Sequence, residues 1–354
     1  MSLDGRRVLV TGDTGFKGAW LCTWLLELGA DVWGFALPPP TEPSLFAQAE
    51  LARRMRHVDG DVRDLAALCG ILEKARPEVV FHLAAQALVR PSYASPRETF
   101  EVNVLGTVNV LEALRLSGRP CAVVAVTSDK AYEEQPGRTA YREEDPLGGA
   151  DPYSASKGAA EIAIACYRRS FFRHGVALAS VRAGNVIGGG DWAADRIVPD
   201  IVRALLRGEP VRLRNPRAVR PWQHVLDALS GYLNLASRLL GEDGADFAEA
   251  WNFGPEPGTD LDVESLAERI LQAWGGGAPL PWHATGEEGG PREAGYLALS
   301  IDKARTRLAW QPTWDVVRAV DEAVAWYRDR QTPAFDRTVA QIRIYQEDAA
   351  RVRS

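Results

Sequence analysis

The residues best suited to chemistry lie in one short stretch of the chain. Ser128, Asp129 and Lys130 follow an apolar run and bring a hydroxyl, a carboxylic acid and an amine to one strand end. Tyr153 and Lys157 follow four residues apart, a spacing that puts both on one face of a helix. The Lys157 ammonium would favour the phenolate and lower the pKa of Tyr153. These five residues are the candidate catalytic residues, because together they can move several protons in one turnover.

A glycine-rich turn near the N-terminus predicts a dinucleotide site. The apolar segment from Arg7 to Thr11 precedes glycines at GxxGxxG spacing, and a helix with periodic apolar residues follows. Backbone N–H groups at such a helix N-terminus can approach a pyrophosphate. A plain structural turn is the alternative, but the strand before and the helix after are the context that the motif requires. The cofactor-binding residues expected here are Gly12, Thr14, Gly15, Phe16, Lys17 and Gly18.

Later strand ends are expected to complete the cofactor site. The first of them presents Asp61, whose carboxylate can accept a hydrogen bond from an adenine amino group. The next strand end has small residues that let a flat cofactor approach the backbone. A polar side chain midway along the following helix can brace this region. The residues are, in order, Asp61 and Val62, then Leu83, Ala84 and Ala85, then Asn103. The second strand, from Asp31 to Ala36, ends without an acid or an arginine, so this signal leaves NAD and NADP undecided.

The order of elements predicts an α/β fold. Strands alternate with helices as far as about residue 185, which is typical of a Rossmann-type doubly wound parallel sheet with ligands at the carboxyl ends of the strands. Shorter strands and many loops then predict a smaller α/β substrate-binding lobe. Since the segment around Trp251 looks like one more sheet strand, we expect interleaved lobes. The cofactor domain would be 1–185 with about 225–256, the substrate lobe 186–224 with about 257–330, and the helical tail 331–354.

Composition excludes several functions. The 354 residues are 46% hydrophobic with a net charge of −6, and both signs of charge are interspersed, which argues against nucleic-acid binding. No apolar run approaches the roughly 20 residues that span a bilayer, and no signal peptide precedes the first strand, so we expect a cytoplasmic protein without membrane contact. The four cysteines lack CxxC spacing and fit buried thiols better than a metal site.

Taken together, these motifs resemble a known family. The GxxGxxG turn, Tyr153-x-x-x-Lys157 and Asn185 resemble the extended short-chain dehydrogenases/reductases that modify nucleotide sugars. Further segments resemble the members of that family that remove water from CDP-glucose: Thr14–Gly18, Ala84–Gln86, Thr127–Lys130, Val181–Trp192 and Arg220–His224. The likeness runs from the first strand to about Tyr327. One departure is Asp13, where the family has a histidine, because an acid beside a pyrophosphate would repel it unless it were turned away.

The resemblance implies a redox-neutral elimination with NAD as cofactor. Tyr153 would take the proton from the 4-hydroxyl of the sugar as hydride leaves C4, and Ser128 would bond the same oxygen. Lys130 would remove the C5 proton, and Asp129 would protonate the departing 6-hydroxyl before hydride returns to C6. A lysine that acts as a base must be neutral, so Lys130 either removes the proton or, as a cation, stabilises the enolate. The alternatives are an NAD-dependent epimerase, which has no use for Asp129 and Lys130, and a dehydratase for another nucleotide hexose.

The substrate contacts must include positive charge and N–H donors, because a nucleotide diphosphate is an anion. Three arginines fall in loops of the substrate lobe, Asn185 can donate to the diphosphate, and a segment around Tyr296 resembles the family's nucleotide contacts. The expected substrate-binding residues are Gln86, Asn185, Arg196, Arg214, Arg220 and Tyr296. By analogy with the family, we also expect a homodimer or higher homo-oligomer, formed by the helices near residues 103–114 and 157–168.

Overall fold

The computed structural model describes residues 3–135, 140–172, 175–275, 282–284 and 297–353. Its strands, in chain order, are β1 (Arg7–Thr11), β2 (Asp31–Ala36), β3 (Arg56–Asp59), β4 (Val79–His82), β5 (Cys121–Val126), β6 (Val176–Arg182), β7 (Val186–Ile187), β8 (Val211–Leu213), β9 (Val219–Arg220), β10 (Gln223–His224), β11 (Ala250–Asn252), β12 (Leu261–Asp262) and β13 (Trp282–Ala284).

Seven of these strands form one parallel sheet. Its order is β11-β6-β5-β4-β1-β2-β3, so the chain reverses direction between β1 and β4. Ligands bind at such switch points, at the carboxyl ends of the strands, and the glycine turn after β1 lies there. The predicted Rossmann-type sheet is therefore confirmed, including the late strand at Trp251. The short strands pair separately, as β7 with β10, β8 with β13 and β9 with β12.

Helices cover both faces of the sheet. They are α1 (Phe16–Glu27), α2 (Leu45–Gln48), α3 (Leu51–Arg54), α4 (Leu65–Ala75), α5 (Val89–Ala94), α6 (Pro96–Phe100), α7 (Gly106–Ser117), α8 (Pro152–Ser170), α9 (Ile197–Arg207), α10 (Val225–Leu239), α11 (Val263–Trp274), α12 (Asp302–Leu308), α13 (Val316–Arg328) and α14 (Ala334–Arg353).

Two apolar cores result, one on each face. The larger lies under α1, α10, α13 and α14 and buries several aromatic rings, among them Trp20, Trp251 and Trp310. The smaller lies under α4, α7 and α8 and is built from aliphatic residues such as Leu111 and Leu178. Strands buried on both faces explain why the sequence of β5 is continuously apolar rather than alternating.

Two details differ from the sequence-based expectation. The helix expected near residues 96–116 is divided, because a π-helical turn at Glu101–Leu105 joins α6 to α7. Of the cysteines, Cys22 and Cys121 are buried, whereas Cys69 is partly exposed and Cys166 is exposed, so the expectation of four buried thiols is wrong. None of the described helices is both long and apolar enough to cross a membrane.

Candidate active site

The turn after β1 has the shape that a pyrophosphate site requires. Gly12 has φ +79°, and a Cβ there would lie 2.6 Å from the backbone nitrogen of Ala84. A Cβ at Gly18 would lie 2.1 Å from the carbonyl oxygen of Gly12. Both positions therefore need glycine. Gly15 precedes α1 without a side-chain cap, so the first N–H groups of this helix remain to bind an anion.

One cavity of about 1200 Å³ joins this turn to the substrate lobe. All but two of the predicted site residues line it: Gly12, Thr14, Gly15, Phe16, Lys17, Gly18, Asp61, Val62, Leu83, Ala84, Ala85, Gln86, Ser128, Asp129, Lys130, Tyr153, Lys157, Asn185, Arg196, Arg214 and Arg220. Of the other two, Tyr296 lies outside the described residues, and Asn103 lies behind the cavity wall.

Asn103 supports the loop after β4. Its Oδ1 accepts a hydrogen bond from the Gln86 backbone N–H (2.8 Å), and its Nδ2 donates to the Gln86 carbonyl (3.0 Å) and to the Ser156 hydroxyl (2.8 Å). The π-helical turn directs this side chain inward. These bonds agree with the bracing expected of Asn103, and its predicted contact with the cofactor stays a prediction. The Gln86 amide is likewise bonded within its own loop, to Leu88 and Thr99, so its predicted contact with substrate stays a prediction.

The acid in the glycine turn points away from the cavity. Asp13 is fully buried, and its Oδ2 lies 2.6 Å from Nδ1 of His57. Its carboxylate fills the space that a Cβ on Gly34 would occupy. The hydrogen bond that Asp13 accepts raises the pKa of His57, and burial raises the pKa of Asp13 itself. The repulsion expected between this acid and a pyrophosphate is thus reduced by geometry and by the neighbouring imidazole.

The two acids after β3 have different roles. Asp64 caps α4 by accepting a hydrogen bond from the Ala67 N–H (3.0 Å). Asp61 lines the cavity, but its carboxylate already accepts hydrogen bonds from the backbone and side chain of Arg63. Those bonds lower the pKa of Asp61, so the carboxylate stays ionised and retains lone pairs for an amino group.

The acid and base segment, Ser128–Lys130, forms a tight turn at the end of β5. Ser128 caps a 3₁₀ turn, since its hydroxyl accepts from the Lys130 N–H (3.2 Å) and donates to Oδ1 of Asp129 (2.9 Å). Asp129 is 2% exposed, and its Oδ2 has no hydrogen-bond partner among the described residues. This oxygen occupies the place that a Cβ on Gly184 would take, at 1.7 Å. A glycine after β6 is therefore what gives the Asp129 carboxyl its room.

The tyrosine and lysine are presented by the first turns of α8. Asp151 caps the helix through the Ser154 N–H (2.9 Å), and proline at its first position suits a helix start. Burial raises the pKa of Tyr153 to about 12, against the effect of a hydrogen bond with Ser128. The expected lowering by Lys157 is wrong for the protein by itself, because burial dominates and Arg196, rather than Lys157, is the positive charge that opposes it. Burial also lowers the pKa of Lys157 to about 8.

Two of the three predicted substrate-binding arginines are held by nearby carboxylates, and the third by a carbonyl. Arg196 donates to Oδ2 of Asp191 (2.9 Å), and Arg214 donates to Oδ1 of Asp195 (2.7 Å). Arg220 is 6% exposed and bonds the Val219 carbonyl. These partners orient the guanidinium groups but also offset part of their charge, so an incoming diphosphate competes with them for N–H donors.

Sequence reasoning missed two contributors to the site and part of the setting of a third. Arg212 lines the same wall but sits on a short strand with no motif to mark it. Lys17 was assigned only to the cofactor, yet burial and the charges of Arg196 and Lys157 lower its pKa to about 8, against the effect of Asp129. Glu161 is buried one turn beyond Lys157 on the same face of α8, a helical spacing that the sequence shows.

The motif segments beyond β6 bond residues that are far apart in the sequence. The Trp20 indole N–H on α1 donates to the Gly189 carbonyl (2.8 Å), and a Cβ on Gly189 would meet the Trp326 ring at 2.1 Å. Gln223 bonds the carbonyls of Gly184 and Phe253, and His224 caps α10. These bonds stabilise the segments that form the cavity wall, on the side away from the cavity.

The described residues fit an extended dinucleotide. The crowded glycines leave open backbone at the start of α1, and the small residues after β4 leave a flat surface beside it. Toward the substrate lobe, Nδ2 of Asn185 is buried without a partner in the described part of the chain. This residue lines the cavity and has φ +41°, a conformation that few residues other than glycine adopt. An orphaned donor of this kind is typical of a ligand contact.

The fold and this site define a nucleotide-sugar-modifying member of the extended short-chain dehydrogenases/reductases. The model of the GDP-mannose 4,6 dehydratase family matches residues 9–244, and the chain belongs to that family.

Its relatives include 4,6-dehydratases for several nucleotide sugars. The chain is 49% identical over 331 residues to CDP-glucose 4,6-dehydratase of Salmonella typhimurium, covering 92% of this chain and 91% of that protein. It is 31% identical to dTDP-glucose 4,6-dehydratase of Streptomyces antibioticus, over 92% and 93% of the two chains. Among solved structures, dTDP-glucose 4,6-dehydratase of Streptomyces venezuelae with NAD bound is 25% identical, with a TM-score of 0.77 and coverage of 92% and 98%.

Proposed function

We propose that this protein is an NAD-dependent CDP-glucose 4,6-dehydratase, which converts CDP-D-glucose to CDP-4-dehydro-6-deoxy-D-glucose and water. The observation that carries the proposal is the meeting of two sets of residues in one cavity. Tyr153 and Lys157 suit oxidation of an alcohol, whereas Asp129 and Lys130 suit loss of water from the neighbouring carbons. The 49% identity to the Salmonella enzyme supports the choice of nucleotide sugar.

Tyr153 begins the reaction by taking the proton of the 4-hydroxyl. When bound, NAD⁺ accepts a hydride from C4 and returns it to C6 at the end. Because the phenol has a pKa near 12 by itself, its ionisation depends on positive charge close by. Lys157, 5% exposed and on the same face of α8, supplies that charge when protonated. Ser128, already bonded to the phenol, can donate to the oxygen that becomes the 4-keto group.

Asp129 and Lys130 carry out the loss of water. The 4-keto group acidifies the C5 proton, which passes to Lys130 if its amine is neutral, or to solvent if the Lys130 ammonium instead stabilises the enolate. The carboxyl of Asp129 gives a proton to the departing 6-hydroxyl, which leaves as water. C5 takes up a proton again when hydride returns to C6, so the net loss is the 6-hydroxyl and the proton of the 4-hydroxyl. The tight 3₁₀ turn holds both side chains beside Ser128, which is the geometry that consecutive proton transfers need.

The nucleotide diphosphate would lie against the substrate lobe. Arg212, Arg214 and Arg220 line that side of the cavity, and Asn185 offers its unpartnered amide N–H groups. Guanidinium groups bind phosphate oxygens in pairs of hydrogen bonds, which suits a diphosphate. The predicted contact with Tyr296 stays part of the proposal.

The deciding experiment uses CDP-glucose deuterated at C4. The expected product has lost one water and carries deuterium at C6, which mass spectrometry and NMR detect together. Inversion at C4 without a change in mass would instead indicate an epimerase. UDP-glucose and dTDP-glucose, run in parallel, test the base: a faster reaction with either one would replace the proposed substrate with another nucleotide hexose.

The proposal includes a cytoplasmic homodimer or higher homo-oligomer. Support for the assembly comes from apolar side chains exposed on the helices expected to pair, namely Leu105, Leu116 and Ile162. Size-exclusion chromatography with light scattering tests it. Replacing Ile162 by Glu should convert the assembly to monomers, whereas a change of the exposed Leu37, which is remote from these helices, should not.

A further inference from the structure

A buried ion pair lies behind the candidate catalytic residues. Glu161 is 2% exposed and Arg182 is 3% exposed, and Oε2 of Glu161 accepts a hydrogen bond from the Arg182 guanidinium at 2.9 Å. Neither side chain lines the cavity among the described residues. Burying two charges costs several kcal/mol per ion before their attraction offsets it, so a buried ion pair is weak evidence for stability. The pair calls for another explanation.

The pair contacts both ends of the acid and base segment. At its N-terminal end, the Thr127 hydroxyl donates to Oε1 of Glu161 at 2.5 Å. At its C-terminal end, directly after the 3₁₀ turn, the Arg182 guanidinium donates to the Tyr132 hydroxyl at 2.7 Å. The Tyr132 hydroxyl then donates to Oδ1 of Asn252 at 2.7 Å, which ties it to β11. The segment between Thr127 and Tyr132 is therefore clamped at its two ends.

The same carboxylate also belongs to the helix of the other catalytic pair. Glu161 follows Lys157 by four residues on α8, so the two side chains share one face. Its negative charge opposes the lowering of the Lys157 pKa that burial causes. The Ser180 hydroxyl donates to Oε2 at 2.8 Å and completes the set of partners. One side chain thus connects β5, β6 and α8 at the point where the reaction would occur.

We infer that Glu161 is a positioning residue: with Arg182 it fixes the segment that carries Ser128, Asp129 and Lys130 against the helix that carries Tyr153 and Lys157. The inference rests on the proposed dehydratase activity. It assigns Glu161 two effects that separate experimentally. One is the placement of the acid and base for loss of water, and the other is the charge that keeps Lys157 protonated.

The first test removes the Thr127 hydroxyl and leaves the ion pair. Thr127→Val is nearly isosteric and deletes the bond to Glu161 together with the longer one to the Val181 carbonyl (3.1 Å). We expect loss of water to slow by about 10- to 100-fold, the range that a small misplacement causes. Oxidation at C4, followed as reduction of bound NAD⁺ in a single turnover, should change far less, and KM should stay near the wild-type value. Thr127→Ser keeps the hydroxyl and should recover most of the rate.

The second test removes the charge. Glu161→Gln should move the alkaline limb of the kcat/KM profile to lower pH, because Lys157 then loses its proton more readily. Thr127→Val retains the Glu161 charge and should leave that limb in place. Glu161→Gln leaves Arg182 buried and unpaired, so its folding is checked by circular dichroism. If it does not fold, the Thr127 pair still decides the inference.

Wild-type protein is assayed alongside in every case. Wild type that releases no water from CDP-glucose overturns the proposed function. If wild type is active and Thr127→Val loses water at the wild-type rate, the positioning role is overturned. The same conclusion follows if Thr127→Val slows oxidation and loss of water equally and Thr127→Ser does not recover the rate. A lower Tm with unchanged rates does so too, since it would reduce Glu161 to a structural residue.

Discussion

The chemistry of Lys130, one of the candidate catalytic side chains, depends on its charge. It is half-buried in the cavity wall beside the buried Asp129. As a neutral amine it would take the C5 proton, and as an ammonium it would stabilise the enolate. Both roles act after oxidation at C4. Loss of the side chain should therefore separate the two halves of the reaction.

Replacing Lys130 by Met tests this separation. We expect exchange of the C5 proton with solvent deuterium to fall by at least about 100-fold, the contribution typical of a positioned acid or base. Reduction of bound NAD⁺ by substrate should stay detectable. Lys74→Met, a change at an exposed position on α4, is the matched control and should exchange normally. Unchanged exchange in Lys130→Met would remove this residue from the mechanism.

Among single residues, sequence reasoning identified those whose type and position both follow from a strand end. Ser128, Asp129 and Tyr153 all line the cavity as expected. It failed on the direction of the Tyr153 pKa, because the extent of burial depends on the packing of distant segments. It also missed the carboxylate partners of Arg196 and Arg214, since those pairs form only when the loops fold together.

At the scale of elements, the turns after β5 and β6 fit against each other. Oδ2 of Asp129 lies where a Cβ on Gly184 would be, at a separation of 1.7 Å. Flexible side chains can move away from such a clash, but Asp129 is also held by the Ser128 hydroxyl and has little free space. The close contact between these turns thus decides where the acid sits.

Gly184→Ala should displace the Asp129 carboxyl and slow loss of water by about 100-fold, since misplacement of an acid by about 1 Å has effects of this size. The control is Gly70→Ala on α4, where an added Cβ meets nothing within 4 Å. That change should leave activity intact and stabilise the helix by roughly 0.5–1 kcal/mol. Rates from rapid-quench assays and unfolding curves in urea measure the two effects. Equal rates in both variants would contradict the steric argument.

Regular elements were predictable where periodicity was long and uninterrupted, as in α9 and α10. The π-helical turn at Glu101–Leu105 was not, because one extra residue in a turn leaves the surrounding apolar pattern almost unchanged. Its effect is local but important, since it directs Asn103 toward the loop at Gln86.

At the scale of the whole molecule, the C-terminal helix is fastened to the core by a buried acid. Asp227 on α10 is fully buried, and its Oδ1 accepts hydrogen bonds from the Tyr345 hydroxyl (2.8 Å) and the Thr313 N–H (2.6 Å). Its Oδ2 has no partner among the described residues. Burial raises the pKa of Asp227 to about 7, although these hydrogen bonds favour the ionised form.

This pKa predicts the pH dependence of stability. Between about pH 4 and 7 the folded protein holds a proton at Asp227 that the unfolded chain has lost, so this group makes the free energy of unfolding fall as pH rises. Asp227→Asn should remove that slope, worth roughly a few kcal/mol across the window. Urea unfolding at several pH values measures it, with the exposed Asp336→Asn as control. Parallel slopes for wild type and Asp227→Asn would show that Asp227 does not titrate in this window.

The type of sheet could be predicted from the sequence, because alternating strands and helices allow few topologies and place ligands at one edge of the sheet. The division into two interleaved lobes remains a prediction. The long-range contacts could not be predicted, because their residues are far apart in the sequence. Examples are the bond from Trp20 to Gly189 and the bond from the Tyr327 hydroxyl to the Asp191 carbonyl.

The inward-turned Asp13 makes three distant positions dependent on one another. Its carboxylate occupies the volume above Gly34 and bonds His57, so a change at any of the three alters what the other two tolerate. Combined substitutions should therefore be strongly non-additive. A histidine introduced at position 13 alone would crowd His57 and lose its counter-charge. The substitution Asp13→His would thus require compensating changes at positions 34 and 57.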